Sequence, residues 1–249
     1  MSNKKNFNLI GILAFMLLVF SCIGVAPVNQ TDTAVFTENV HDHLGERFRF
    51  VGGEIQGFAN NAERITQLVI PNTVWGMTVT SIGTEAFKDA GLTSVVFPDS
   101  IKSIGQGAFF RNQITSVAFP NGITSIGIGA FSNNRLINVV IPDSVTYIGE
   151  AAFFQNNLRN VIIPDSITSI GDSTFFLVLG GGVAGIASGN ASVTIGANVN
   201  LHENAFLYYD AFTPRIVNSE FTQYYNQNGR TAGTYRFTWR LGGSWSYSP

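Results

Sequence analysis

The sequence predicts a mainly-β solenoid, a single curved stack of 22-residue coils with N- and C-terminal caps. Three observations predict it. The pair Ile-Gly recurs at Ile82, Ile104, Ile126, Ile148 and Ile170, always one step of 22 residues apart. Phe87, Phe109, Phe131, Phe153 and Phe175 keep the same step, and so do Pro98, Pro120, Pro142 and Pro164. Between these markers, apolar residues such as Val95 and Phe97 alternate with outward positions at the period of a short strand.

Composition agrees and excludes other classes. The 249 residues are 45% apolar but only 12% charged, about half the share usual in a soluble domain. A net charge of −2 argues against nucleic acid as a partner, which needs a basic face. One Cys rules out an internal disulfide framework, and three His leave little for a histidine-built catalytic centre. The excesses are 26 Gly and 21 Phe, and the repeat accounts for much of both.

The first element, residues 1–21, reads as a signal peptide. Lys4 and Lys5 make a positive start. Leu9 to Phe20 is an apolar run of 12 residues, too short to cross ~30 Å of hydrocarbon as a helix. Small Ser21 then precedes Cys22. The string Val19-Phe20-Ser21-Cys22 resembles a bacterial lipoprotein signal, although Phe20 stands where the common pattern has a small residue. Spirochaete lipoproteins tolerate such looser boxes. The resemblance implies cleavage before Cys22, a lipid on Cys22 and a membrane anchor. The alternative is an ordinary signal peptide cut nearby, with Cys22 a bystander.

Residues 22–45 are polar and patternless, which predicts a flexible tether. His41-Asp42-His43 lies within it, where two His lack a third ligand, so no metal is expected. The solenoid itself is placed at 46–206. Phe48 to Phe58 reads as a lead-in pair of strands covering the open edge of the first coil. Pro71 lies 27 residues before Pro98, so the first coil carries a five-residue insertion around Trp75-Gly76-Met77.

A full coil places Leu92, Val95, Phe97, Ile101, Ile104, Ala108 and Phe109 inward. Stacked coils ~4.8 Å apart would set each residue on its own copy, making a spine of the Phe109 column. Pro98 cannot donate to a ladder and so ends the strand. Gly105 allows positive φ or close backbone approach at the turn. Asn112, Asn134 and Asn156 form a column placed to satisfy backbone groups between coils. Ile101 to Phe109 also fits a helix, but Gly105 and Gly107 would each cost ~1 kcal/mol there, which favours a turn or short extended segment. A worn copy follows at Val193, Ile195 and Phe206, after a Gly-rich insertion.

The opening Leu92-x-x-Val95-x-Phe97 follows the start of a leucine-rich repeat. The continuation I-P-x-S-[IV]-x-x-I-G-x-x-A-F, nearly letter for letter at Ile141 to Phe153, resembles the BspA-like (treponemal) leucine-rich repeat family over about 48–206. The resemblance implies a leucine-rich-repeat solenoid. It also implies an adhesin-like role at the cell surface, through host matrix proteins or other bacteria.

Residues 207–249 change character and are read as an aromatic-rich C-terminal cap. Tyr235, Phe237 and Trp239 alternate on one strand, Gly242-Gly243 makes a turn, and Glu220 to Asn226 suits a helical turn. The string Tyr225 to Tyr235 resembles a terminal motif of treponemal members. It suits a cap, with aromatic sugar binding as the sharper alternative.

Chemistry-bearing motifs are few. Gly180-Gly181-Gly182-Val183-Ala184-Gly185 matches G-x-G-x-x-G, but a β-like stretch follows it, with no helix to hold a pyrophosphate. No cofactor is expected, and no Ser-His-Asp or Cys-His set can be assembled. Asn190-Ala191-Ser192 is a glycosylation sequon without meaning in a bacterium. The best site candidates are the outward strand columns, one of Ser94, Ser116, Asn138 and Asn160, the other of Val96, Ala118, Val140 and Ile162. An exposed strip of that kind suits a protein interface. Strand propensity alone, or cover by the 180–190 loop, would also account for it. Phe110, Phe154 and Phe176 make a second strip, either exposed or wedged between coils.

Three functions follow. The first is a surface-exposed, lipid-anchored module, not an enzyme, that binds a host or bacterial protein through the repeat face. The second is a periplasmic scaffold lipoprotein. The third is glycan binding through the aromatic tail.

Overall fold

The computed structural model describes residues 47–59, 65–177, 191–210, 215–218, 220–238 and 244–249. They are mainly β, with the single helix Glu220–Gln227 among the described residues. Cys22, the tether, the Gly180 loop, Trp239 and Gly242-Gly243 lie outside the described residues.

The 22-residue step appears as parallel ladders. Along one side, Ser81–Ile82, Ser103–Ile104, Ser125–Ile126 and Tyr147–Ile148 pair in register, each Ile on the next Ile. The antiparallel pair Phe48–Val51 and Glu54–Phe58 joins them through Glu54–Phe58 and occupies the first edge. On a second side, Asn138–Val140, Asn160–Ile163 and Ala191–Ile195 are parallel. Gly233–Thr238 and Ser244–Ser248 then continue this sheet antiparallel. The third side begins as turns and becomes the sheet Phe153–Leu158, Phe175–Leu177, Phe206–Asp210 and Arg215–Asn218.

The segment after Ile104 turns, as its glycines predict. Ala108 N–H reaches Gly105 O at 3.3 Å and Phe110 N–H reaches Gly107 O at 3.0 Å. Other backbone groups of this turn bond to the neighbouring coils, with Phe87, Phe109 and Phe131 N–H each 2.8 Å from the carbonyl of Ala108, Ala130 and Ala152. Close approach explains Gly127, where a Cβ would stand 2.7 Å from Gln106 N. Left-handed backbone falls elsewhere, in the column Glu85, Gly107, Gly129, Ala151 and Ser173, with φ of 53–59°. A second such column is Asp89, Arg111, Asn133 and Gln155, at 52–57°.

The core runs along the stack. Phe87, Phe109, Phe131, Phe153, Phe175 and Phe206 stand 5.1–5.8 Å apart with planes within 20° of parallel. Such offset stacking adds to the burial of large apolar area. Leu92, Val95, Ile101, Ile104 and Ala108 are buried as expected, but Phe97 and its copy Phe119 are only half-buried. The other coils have Ile there, and Ile70, Ile141, Ile163 and Ile195 are fully inside. The two rings stack 6.4 Å apart, wider than the ~4.8 Å of a ladder. Between them the ladder fails. Ser94–Val96 pairs only with Gln67–Val69, and no strand forms at Ser116 to Ala118.

Asn112, Asn134 and Asn156 perform the role their column predicts. Asn134 Oδ1 accepts from Ile114 N–H at 3.0 Å, and its Nδ2 donates to Phe109 O at 2.9 Å and Phe131 O at 3.1 Å. Asn112 and Asn156 repeat this one coil away on either side. Each amide therefore bonds two successive coils.

At the far end Phe221, Tyr225 and Tyr235 turn inward. Glu220–Gln227 is a full helix of 8 residues, longer than the turn expected. Its Phe221 and Tyr225, one helical turn apart, are both buried, with Phe221 4.6 Å from Phe206. Tyr235 meets them edge-on. The first-coil insertion is a hairpin, Thr73–Val74 with Met77–Thr78, turned by Trp75 and Gly76 at φ of 49° and 76°. That is a type I′ turn.

Candidate functional site

The outward face of the second side carries the two predicted columns. Period-2 alternation explains it, since Val95, Val139 and Val161 point inward and their neighbours outward. Asn138, Asn160 and Ser192 stand in register, and their side chains bond one another. Asn160 Nδ2 donates to Asn138 Oδ1 at 2.7 Å, and Ser192 Oγ donates to Asn160 Oδ1 at 2.8 Å. Ser94 is half-buried and Ser116 exposed.

Beside this polar row, Val96, Val140 and Ile162 are 39%, 55% and 43% exposed, and Ala118 is exposed too. Val69 stands in register with Val96 and extends the row, and Thr194 follows Ile162. Both escape a 22-residue count, because one lies before the five-residue insertion and the other after the Gly-rich one. A search for the same alternation at steps of 27 and 32 would have found them.

The columns are not one continuous sheet. Among the described residues, the backbone of Thr115 to Phe119 makes no hydrogen bond to a neighbouring coil. Ser116 and Ala118 thus sit on a looser segment between two paired regions. Charges border the strip asymmetrically. Arg135 and Arg159 precede the strands, and exposed Asp99, Asp143 and Asp165 follow them. The face is apolar in the middle, with basic and acidic margins.

The other candidates fare differently. Phe110 and Phe154 are half-buried and Phe176 is buried 5.8 Å from Phe154, so the second Phe strip is wedged between coils and not an exposed surface. Lys88 and Arg111 each lie 5.8 Å from the Phe110 ring and cover it further. In the tail, Tyr225 OH donates to Gly196 O at 2.8 Å and accepts from Val199 N–H at 3.1 Å. Tyr235 OH donates to Thr231 O at 2.8 Å. Burial pushes both phenols above the usual 10.0, partly offset at Tyr225 by the Val199 bond and at Tyr235 by Thr231. Neither ring leaves a face for a sugar. No group of three or more His, Cys, Asp or Glu suited to a metal occurs among the described residues.

Comparison with known proteins places these features. Residues 54–178 match the model for the BspA type leucine rich repeat region, in 6 copies. No curated protein matches the chain. Among solved structures, the Treponema pallidum leucine rich repeat protein is 22% identical, with TM-score 0.41, over 49% of this chain and 68% of that one. The pneumococcal vaccine antigen PcpA is 13% identical, with TM-score 0.47, over 72% of this chain and 42% of that one. A leucine rich cell surface protein from Faecalibacterium prausnitzii is 19% identical, with TM-score 0.44, over 90% of this chain and 62% of that one. This chain covers less than two thirds of the last two.

Proposed function

The chain belongs to the BspA-type leucine-rich repeat family, and from that premise we propose a lipid-anchored surface module, adhesin-like in role, that binds a protein through its repeat face. The stack is a solenoid capped at both ends, by Phe48–Phe58 and by the Phe221, Tyr225 and Tyr235 cluster. Cys22 carries the lipid, and residues 23–45 space the domain from the membrane.

The exposed row Val69, Val96, Val140 and Ile162 carries the reading. Paired strands hold Val69 beside Val96 and Val140 beside Ile162, so a partner meets each pair at little ordering cost on this side. Such a row in water is unfavourable unless something covers it. The partner that fits is a protein with a flat apolar centre and charges of both signs at its margins. Binding rather than catalysis suits a face of aliphatic, hydroxyl and amide groups. The burial of Tyr225 and Tyr235 favours the repeat face over glycan binding through those rings.

Val140→Asp with Ile162→Asp tests this directly. Both side chains point outward, which spares the core, and a thermal melt establishes that the variant is folded. Capture in a screen of host matrix proteins and envelope glycans is expected to fall at least about tenfold. Unchanged capture by the folded variant would move the site elsewhere. Protease shaving of intact cells separates a surface protein, which is cleaved, from a periplasmic scaffold, which is not. Cys22→Ser should abolish fatty-acid labelling and release the protein from membranes.

A further inference from the structure

The five-residue insertion of the first coil is absorbed by neither the repeat nor the binding face. It builds the hairpin whose tip is Trp75-Gly76. Type I′ turns favour Asn, Asp or Gly at such left-handed positions, and a bulky residue at positive φ is an outlier. Trp75 adopts it at φ 49° and remains 63% exposed. Phe50 touches one edge of the indole, with ring centroids 6.2 Å apart, and the rest faces outward. Met77, also on the hairpin, is 47% exposed.

A second tip stands beside it. The turn after Phe48–Val51 is held against the insertion by Thr80 N–H on Gly53 O at 2.8 Å, and its Val51 is 62% exposed. Neither tip holds a charge, since 51–53 and 73–78 contain no Asp, Glu, Lys or Arg. An exposed Trp and Met at a strained turn, with an exposed Val at the neighbouring one, point to a surface that something covers.

The occupant follows from how few residues separate this end of the domain from Cys22. The described residues start at Arg47, one residue before the strand that ends in Val51. That start is roughly 13 Å from Val51 at strand spacing. The 24 residues 23–46 separate it from Cys22. Twenty-four residues span at most about 85 Å whatever their conformation, which ties this end of the domain, rather than the far one, to any membrane that Cys22 enters. At such effective concentration even a weak contact is populated. Trp, with an apolar body and one N–H, is the residue best suited to the headgroup boundary.

We propose that Trp75, Met77 and Val51 form a membrane-interface contact that seats the N-terminal end of the domain on the bilayer carrying the Cys22 lipid. This rests on the reading of Cys22 as the lipid site. The contact lies at the first coil, leaving the later coils of the binding face directed to other partners.

The full lipidated chain, reconstituted in vesicles of phosphatidylcholine with a minority of phosphatidylglycerol, tests it. Intact mass first establishes the lipid on Cys22. Replacing the phosphatidylcholine with a form brominated near the headgroup is then expected to lower wild-type Trp emission by about a third, one Trp of three. The Trp75→Phe variant should show no such loss, and Met77→Gln, which keeps Trp75, should show a reduced one. Lipid present with equal quenching in wild type and Trp75→Phe would overturn the contact and leave the anchor standing. Indole shielded from aqueous acrylamide but not quenched by bromolipid would overturn it in favour of a protein cover. A chain without lipid on Cys22 would overturn both the anchor and the contact.

Discussion

Removing Asn134 should expose how the coils are held together. In Asn134→Ala, Ile114 N–H loses its partner, and Asn134 is only 7% exposed, so water cannot replace it. An orphaned buried donor costs about 1–3 kcal/mol. The two carbonyls it served are each shared, since Phe109 O also accepts from Asn112 and Phe131 O from Asn156. Losing those secondary bonds adds about 0.5 kcal/mol apiece, giving a total near 3 kcal/mol. Asn112→Ala should cost about 1 kcal/mol more. It orphans Leu92 N–H and also Phe87 O, which accepts from no other group among the described residues. Equilibrium urea unfolding reads this as a midpoint shift of about 1 M or more, at a slope near 2 kcal/mol/M. Amide exchange at Ile114 should accelerate selectively. A loss below about 0.5 kcal/mol, or a smaller loss for Asn112→Ala than for Asn134→Ala, would refute the ladder argument.

The remaining predictions concern charge and backbone. Asn134→Asp places a carboxyl against two carbonyls, which raises its folded pKa above the unfolded value of about 3.9. The folded state then binds more protons, so stability should fall as pH rises from about 4, read by urea midpoints across pH. Gly127→Ala should cost about 3 kcal/mol or more, because its Cβ would stand 2.7 Å from backbone of the preceding coil, and thermal melting would show it. Ala151→Gly should stabilise by about 0.5–1 kcal/mol, relieving φ of 54°, and a loss instead would contradict the left-handed column. For Tyr225 and Tyr235, with phenols raised by burial, stability should hold below pH 10 and decline above it. Absorbance titration should then show a late-ionising component that Tyr225→Phe and Tyr235→Phe each reduce.

Much of the fold was legible because identical residues recur where identical contacts recur. Ile82 to Ile148 and Phe87 to Phe175 repeat at 22 residues because each stands on its own copy, and the Asn column because neighbouring amides share the same carbonyls. Where physics is met by unlike residues, the pattern is silent. Glu85, Ala151, Arg111 and Gln155 all occupy left-handed backbone, yet nothing in their side chains signals it. The broken ladder at Ser116 was hidden because Phe97 and Phe119 satisfy the same apolar pattern as Ile and differ only in girth. The candidate face was legible in its alternation. Val69, Ser192 and Thr194 were missed where insertions change the step.

Photocrosslinking from the face on intact cells measures the central claim most directly. With a crosslinking residue at position 140, and separately at exposed position 147 on the other ladder, the account predicts a discrete protein adduct from 140 alone. No adduct from 140, or the same adduct from both positions, would contradict it.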